Sequence, residues 1–234
     1  MSLNKLKLWL EESNYTVVLT GAGMSTESGV PDFRSQAGWW KNIDPRTVAS
    51  TEALSGQYEL FREFYQMRVE ALANCEPHRG HEILAEWEQR GLISFIATQN
   101  VDRFHQAAGS QNVAELHGNI MTVRCEKCRK PGVLKHFMNN AVCTYCGQHL
   151  RPNVVLFGET LPEDAWNRSL QAIEQADLVL VLGTSLEVYP VNQLPTMTRG
   201  KLVYMNLEPS AGTNFDLVIE GKIGEVLVEL NEIL

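Results

Sequence analysis

Four short apolar runs, Val17–Thr20, Ile93–Thr98, Leu178–Leu182 and Leu202–Asn206, are separated by stretches of helical periodicity, and this alternation restricts the fold more than any other feature of the 234 residues. Runs of this length and character read as strands buried on both faces. A fifth, shorter run lies at Val154–Phe157. Around them, Asn4–Glu12, Tyr58–Leu72, His78–Gln89, Val101–Ala107, Glu163–Gln175 and Ile223–Glu232 read as helices. Strands that alternate with helices build a parallel sheet covered on both faces, so the expected class is α/β. Two segments break the rhythm. Residues 36–75 are rich in aromatic and polar helix formers, and residues 120–151 carry four cysteines and almost no periodic apolar pattern. They read as inserted modules, one helical and one metal-binding, that pack together as a smaller lobe. Residues 1–35, 76–119 and 152–234 remain for the sheet domain.

In an open parallel sheet, ligands bind beyond the carboxyl ends of the strands. The first run ends in Gly21-Ala22-Gly23, a sharp turn expected to leave main-chain N–H groups open to an anion. A dinucleotide fingerprint would place a third glycine three positions after Gly23, where Thr26 stands, and Gly29 and Pro31 break any helix within two turns. The irregular stretch Pro31-Asp32-Phe33-Arg34 then reads as a lid over a ligand. The other runs end in Gln99-Asn100-Val101-Asp102, Gly183-Thr184-Ser185 and Asn206-Leu207-Glu208. Turn preference explains any one of these endings; four of them together point to a ligand edge. Glu208 suits a ribose, whose hydroxyls an acidic residue accepts in dinucleotide sites.

Cys125-Glu-Lys-Cys128 and Cys143-Thr-Tyr-Cys146 are two knuckles fourteen residues apart. Two such pairs complete a tetrahedron around Zn²⁺, and four thiolates leave no open position for water, so the ion is expected to be structural. Gly147 supplies the freedom the second turn needs. His149 is a rival ligand in position, and an iron–sulfur cluster or a redox dithiol is the competing chemistry. The fifth cysteine, Cys75, has no sequence partner. An odd count with tight CxxC pairs suits a reducing, cytoplasmic setting. No long apolar run marks a signal peptide or a membrane span. A net charge of −8 and a pI near 5.3 oppose broad nucleic-acid binding.

Among the six histidines, His78, His81 and His105 sit in helical patterns and are expected to be solvated or structural, while His136 and His149 belong to the cysteine module. His117, in Glu115-Leu116-His117-Gly118-Asn119, lies at an element end where the two lobes should meet, a place that favours clefts. There a near-neutral imidazole can take a proton from a ribose hydroxyl or a water. Asn100 and Asp102 follow a buried strand; Asp102 reads either as a helix N-cap or as a carboxylate facing the cleft.

The ordered set GAGMSTESGVPDFR, TQNVD, LHG, paired CxxC, FGE, GTSLEVYP and NLE resembles the sirtuins, NAD-dependent protein lysine deacylases, and most of all their bacterial members. The resemblance covers nearly the whole chain from about Val17. It implies NAD+ bound between a Rossmann-type domain and a small domain of helical and zinc modules. It implies attack of the acyl-lysine carbonyl oxygen on the anomeric carbon of the nicotinamide ribose. Nicotinamide leaves, an alkylimidate forms, and lysine and an O-acyl-ADP-ribose result. By the same resemblance His117 is the base on the ribose hydroxyls. Gly21, Ala22, Gly23, Thr26, Asp32, Phe33 and Arg34 form the cofactor loop, with Phe33 shielding the reactive carbon. Gln99, Asn100, Val101 and Asp102 line the ribose and nicotinamide pocket. Gly183, Thr184, Ser185, Asn206, Leu207 and Glu208 hold phosphate and the adenosine ribose, and Lys222 and Ile223 meet adenine. Phe157-Gly158-Glu159 and Glu187-Val188-Tyr189 sandwich an acylated peptide as an added strand. Tyr65 and Arg68 have the Tyr-x-x-Arg spacing of desuccinylase-type members; on a helix they share a face and can grip an acidic acyl group, or else form a plain surface pair. Mono-ADP-ribosyl transfer uses the same cofactor chemistry. A zinc-ribbon adaptor is opposed by the strand ends, and a hydride-transfer enzyme by the absent third glycine.

Overall fold

A computed structural model describes residues 2–31, 42–208 and 214–234. Among the described residues the strands in chain order are β1 (Thr16–Thr20), β2 (Phe95–Thr98), β3 (Val113–Glu115), β4 (Gly118–Cys125), β5 (Pro131–Gly132), β6 (Leu150–Val154), β7 (Leu178–Leu182), β8 (Lys201–Asn206) and β9 (Leu217–Glu220). The helices are α1 (Ser2–Glu12), α2 (Pro45–Val48), α3 (Thr51–Gly56), α4 (Tyr58–Leu72), α5 (Arg79–Gln89), α6 (Phe104–Ala107), α7 (Leu134–Met138), α8 (Glu163–Gln175) and α9 (Ile223–Ile233).

Six strands form a parallel sheet in the order β3-β2-β1-β7-β8-β9. In its centre Val18 stands between Ile96 and Leu180. Successive side chains of a strand point to opposite faces. One face, with Val18, Ile96, Leu180 and Val203, packs under α1, α5 and α9 through Leu6, Leu10, Leu84, Trp87, Leu227 and Leu230. The other, with Val17, Leu19, Val179, Val181 and Tyr204, packs against Ala172 and Ile173 of α8 and Val191 and Leu194 of a 3₁₀ segment. Burial on both faces explains why β1 and β7 read as unbroken apolar runs.

A third core joins α2–α4 to an antiparallel sheet, β5-β4-β6. Phe61, Phe64, Tyr65 and Val69 of α4 meet Ile120, Val123, Phe137 and Leu150. Gln66 reaches across from α4, donating to the carbonyls of Phe137 and Met138 at 3.1 and 2.9 Å.

Several expectations are corrected here. The cysteine segment, read as nearly patternless, holds this antiparallel sheet; β4 and β5 are half-exposed, and β6 gives buried positions to Arg151 and Pro152, so its apolar residues are too sparse to register. The short run near Val154–Phe157 is not a strand: β6 ends at Val154, and Phe157 keeps only an isolated bridge to Ser50. The helix expected from Val101 starts at Phe104, because Asp102 Oδ1 accepts from Phe104 N at 2.9 Å and Arg103 turns left-handed at φ 67°. The sheet edges β3 and β9 were not anticipated, being short and half-exposed.

Candidate active site

The loops after β1 and β7 meet backbone to backbone. Gly21 N donates to Leu182 O at 3.0 Å and Gly23 N to Gly183 O at 2.8 Å. A Cβ on Gly23 would lie 2.8 Å from Gly183 O, and one on Gly183 would lie 2.4 Å from Met24 N at φ +60°. The glycines are therefore demanded by this close approach. Two of the N–H groups expected to be open to an anion are already spent on β7, which corrects the sequence reading. Thr26 Oγ1 donates to Gly23 O and tightens the turn. Ala22 stands half-buried in it. Asp32, Phe33 and Arg34 lie outside the described residues.

Ser25 gathers the next layer. Its hydroxyl donates to Asp102 Oδ2 at 2.7 Å and accepts from Asn100 Nδ2 at 3.0 Å. Asn100 and Asp102 are both buried. Burial pushes the Asp102 carboxyl up, and bonds from Phe104 N–H and the Ser25 hydroxyl offset part of that. Val101 O accepts from Ile120 N at 3.0 Å, which ties this loop to β4.

His117 sits between β3 and β4, where the chain leaves the parallel sheet for the antiparallel one. Leu116 N donates to Thr98 O and Val155 N to His117 O, both at 2.9 Å. Gly118 follows at φ +69°, where a Cβ would lie 2.0 Å from Asn153 O, so this crossing requires glycine. Nδ1 of His117 lies 3.0 Å from Gln99 O. A carbonyl only accepts, so Nδ1 carries the proton and Nε2 of the neutral ring is a free base. Burial lowers the His117 pKa, and the bond to Gln99 O partly offsets this, so the ring is neutral at pH 7.

Gln99 extends the line outward, with Nε2 donating to Thr184 Oγ1 at 2.9 Å. Thr184 is buried, and Ser185 is half-buried beside it. Asn206 is half-buried, whereas Leu207 and Glu208 are exposed at the end of β8. Lys222 pairs with Glu225 at 2.8 Å, and Ile223 is buried in the core beneath α9. One edge of the sheet thus carries the residues expected at four strand ends, linked by hydrogen bonds from His117 through Gln99 to Thr184.

Of the solvated and structural alternatives, His81 and His105 take the structural one, both being buried. His105 Nε2 lies 3.0 Å from Thr20 Oγ1, and the His81 ring stands between those of His78 and His105 at 4.4 and 5.1 Å. Burial lowers His81 to about 2 and His105 to about 4. His78 accepts from Gly80 N and holds Met24 O at 2.6 Å, supporting the β1 loop from below.

On the small lobe, Tyr65 is buried against Phe61 and Phe64, with ring centroids at 4.7 and 5.1 Å. Burial pushes its phenol up to about 12. Arg68 is half-buried, with its guanidinium 5.5 Å from the Phe64 ring. Burial lowers its pKa, while Tyr65 and Asp102 favour its charge. With Tyr65 buried and Arg68 half-buried, the two are not a plain surface pair. Phe157, Val188 and Tyr189 are exposed. Phe157 N–H and C=O pair with Ala49 O and Thr51 N at 2.9 and 3.1 Å. Gly158 turns at φ +94°. Glu159 points inward: both its oxygens meet the fully buried Arg151, at 2.7 and 3.0 Å, and Oε2 also accepts from Leu156 N.

The Sγ atoms of Cys125, Cys128, Cys143 and Cys146 lie within 4.8 Å of one another, with 3.4 Å between Cys125 and Cys146 and 3.7 Å between Cys128 and Cys143. Zn–S bonds of about 2.3 Å in a tetrahedron need sulfur separations of about 3.8 Å, so the donor set fits Zn²⁺. Arg129 at φ 61° and Gly147 at φ 70° occupy matching places after the two knuckles. His149 is no rival ligand: its ring stacks on Tyr58 with centroids 3.8 Å apart. Cys75 is a free thiol beside Gly29.

Ser25 and Arg151 were not singled out from the sequence. Ser25 lies inside the loop motif, and only its burial shows what it bonds. Arg151 opens Arg-Pro-Asn just ahead of Phe-Gly-Glu, and an arginine at the edge of an apolar strand was the available signal.

The family model described as "Sir2 family" matches residues 21–190. The chain is 52% identical over 230 residues to "NAD-dependent protein deacetylase 1" of Geobacillus kaustophilus, covering 96% of this chain and 95% of that protein. It is 42% identical over 229 residues to "NAD-dependent protein deacylase 2" of Pyrobaculum aerophilum, covering 95% and 92%. Among solved structures it is similar to a Sir2–p53 peptide–NAD+ complex, with a TM-score of 0.91 at 35% identity, covering 100% of this chain and 98% of that one.

Proposed function

Because the chain belongs to the Sir2 family, we propose the following roles for its residues in NAD+-dependent removal of acyl groups from protein lysines. The enzyme is an NAD+-dependent protein deacylase of the sirtuin type. The observation that carries the assignment of roles is His117: a neutral ring with its Nδ1 proton fixed on Gln99 O, which leaves Nε2 as the basic nitrogen. Nε2 takes a proton from a ribose hydroxyl after nicotinamide has left. Asn100 and Asp102, held by Ser25, form the wall of the nicotinamide pocket. Gly183, Thr184, Ser185, Asn206, Leu207 and Glu208 receive phosphate and the adenosine ribose, with Lys222 and Ile223 near adenine. The cofactor loop Gly21–Thr26 continues through Asp32, Phe33 and Arg34.

The sheet built from residues 1–35, 76–119 and 152–234 carries the cofactor, and the modules at 36–75 and 120–151 close over it. Zn²⁺ on the four cysteines is structural; it locks the β4–β6 lobe and takes no part in the reaction. The peptide lies between Gly158 and Val188–Tyr189. Since Phe157 spends its main-chain groups on Ala49 and Thr51, and Glu159 its carboxylate on Arg151, these two residues shape the groove and Gly158 meets the peptide backbone. The setting is the cytoplasm; among the described residues no helix is long and apolar enough to cross a membrane. Nicotinamide release from NAD+ that requires an acetyl-lysine peptide tests the reading, and release independent of the peptide would contradict it.

A second reading concerns the acyl group. Arg68 lies one turn after Tyr65 on α4, and its charge is favoured by Tyr65 and Asp102, so a carboxylate at the end of an acyl chain would meet a guanidinium and a neutral phenol. Arg68→Met should then lower desuccinylation at least about tenfold, the cost of a charge-assisted bond, and spare deacetylation. Equal loss on both peptides would contradict it.

A further inference from the structure

Tyr204 places a phenol in the middle of an otherwise aliphatic buried strand, between Val203 and Met205. A hydroxyl taken out of water costs several kcal/mol unless it is bonded, so its partners show what it is for. It donates to Thr184 O at 2.9 Å and accepts from Asn206 Nδ2 at 2.7 Å. Thr184 lies in the loop after β7 and Asn206 is the last residue of β8, both beyond the last pair of the β7–β8 ladder, Leu182 with Met205. Past Gly183 N–Met205 O the two strand ends part, and the phenol bridges them. Phe215 stacks on the Tyr204 ring, with centroids 4.7 Å apart, and fixes its plane. Asn206 Oδ1 in turn accepts from Leu207 N at 3.0 Å. On the other side Thr184 Oγ1 takes Gln99 Nε2, whose own carbonyl orients His117.

We propose that Tyr204 is a positioning residue for NAD+: its hydroxyl locks the Gly183–Ser185 loop to the Asn206–Glu208 loop, fixing the spacing between the phosphate and adenosine-ribose ends of the site. It touches neither ligand nor reacting atoms; it acts through Thr184 and Asn206. The inference rests on the assignment of NAD+ to this edge.

Tyr204→Phe removes one oxygen and keeps the ring stacked on Phe215. The KM for NAD+ should rise about five- to tenfold, the worth of a buried hydrogen bond left unmade, with kcat and the KM for acetyl peptide unchanged. The Kd of ADP-ribose, read by calorimetry, should rise by the same factor. A merely structural phenol would lower Tm and leave the KM for NAD+ where it was; that result overturns the inference, as does an equal change in kcat and both KM values. If the wild-type chain itself fails to bind ADP-ribose, the assignment of this edge to NAD+ falls first, and the inference with it.

Discussion

His117 combines two fixed features, a proton on Nδ1 and a pKa held below its ordinary value by burial. As a base it must be neutral, so turnover should be level from about pH 7 upward and fall only below the ordinary histidine value of about 6.5. A profile whose acidic limb is centred above that value would contradict the assignment. His117→Ala should lower kcat by about 10²- to 10⁴-fold while Tm stays within a few degrees. His81 and His105 contribute differently. Their folded pKa values, about 2 and about 4, lie below those of the unfolded chain, so the unfolded state binds more protons on acidification. Their contribution is complete above about pH 6.5 and is lost as pH falls toward the folded values. Urea unfolding should therefore show less stability at pH 5.5 than at pH 7, and an equal free energy at both would refute the neutral buried pair. The sequence marked His117 by its place at an element end. It did not reveal the other two, because Glu and Gln neighbours along a helix say little about which face is covered.

At the scale of elements, legibility followed burial. β1, β7, α4 and α8 coincide with the sequence reading because each is buried along a full face and carries its period without interruption. β3, β4, β5 and β9 are half-exposed, and their pattern is diluted by polar residues. The Gly21–Gly23 motif was legible as a turn at a strand end, but its cause is the approach of Gly183 rather than free N–H groups. The junction at Gly118 is equally exacting. Gly118→Ala adds a Cβ against Asn153 O in a left-handed turn and should cost more than about 1 kcal/mol, read as a shifted urea midpoint. Arg151 is a stronger case: fully buried, it holds Glu159 through two bonds and also donates to Val154 O. Arg151→Met leaves the half-buried Glu159 carboxylate with Leu156 N and the more distant Arg124, at 3.8 Å, and should cost about 1–3 kcal/mol. A loss under about 1 kcal/mol would show that water replaces the guanidinium.

Across the whole molecule, three cores divide the work. Two cover the faces of one parallel sheet, and the third unites the helical segment with the cysteine segment, which lie far apart in sequence. The alternation of runs and helices was enough to foresee the first two. The two segments that break this rhythm were expected to pack together, as the third core shows, but the contacts that do it, such as Gln66 with Phe137, are announced by no local pattern. Stripping metal under reducing conditions should raise hydrogen exchange at Val123, Cys125 and Leu150 and leave Val18 and Leu180 protected; uniform loss of protection would mean that the lobes do not unfold separately. His117 stands where the two sheets join, so in its proposed role it ties the reaction to both. The most direct test of the account is mass spectrometry of the products formed from NAD+ and an acetyl-lysine peptide. Equal amounts of free lysine peptide, nicotinamide and O-acetyl-ADP-ribose are expected, with the lysine peptide and O-acetyl-ADP-ribose formed about 10²- to 10⁴-fold more slowly in His117→Ala; ADP-ribose attached to protein with the acetyl group intact would contradict this.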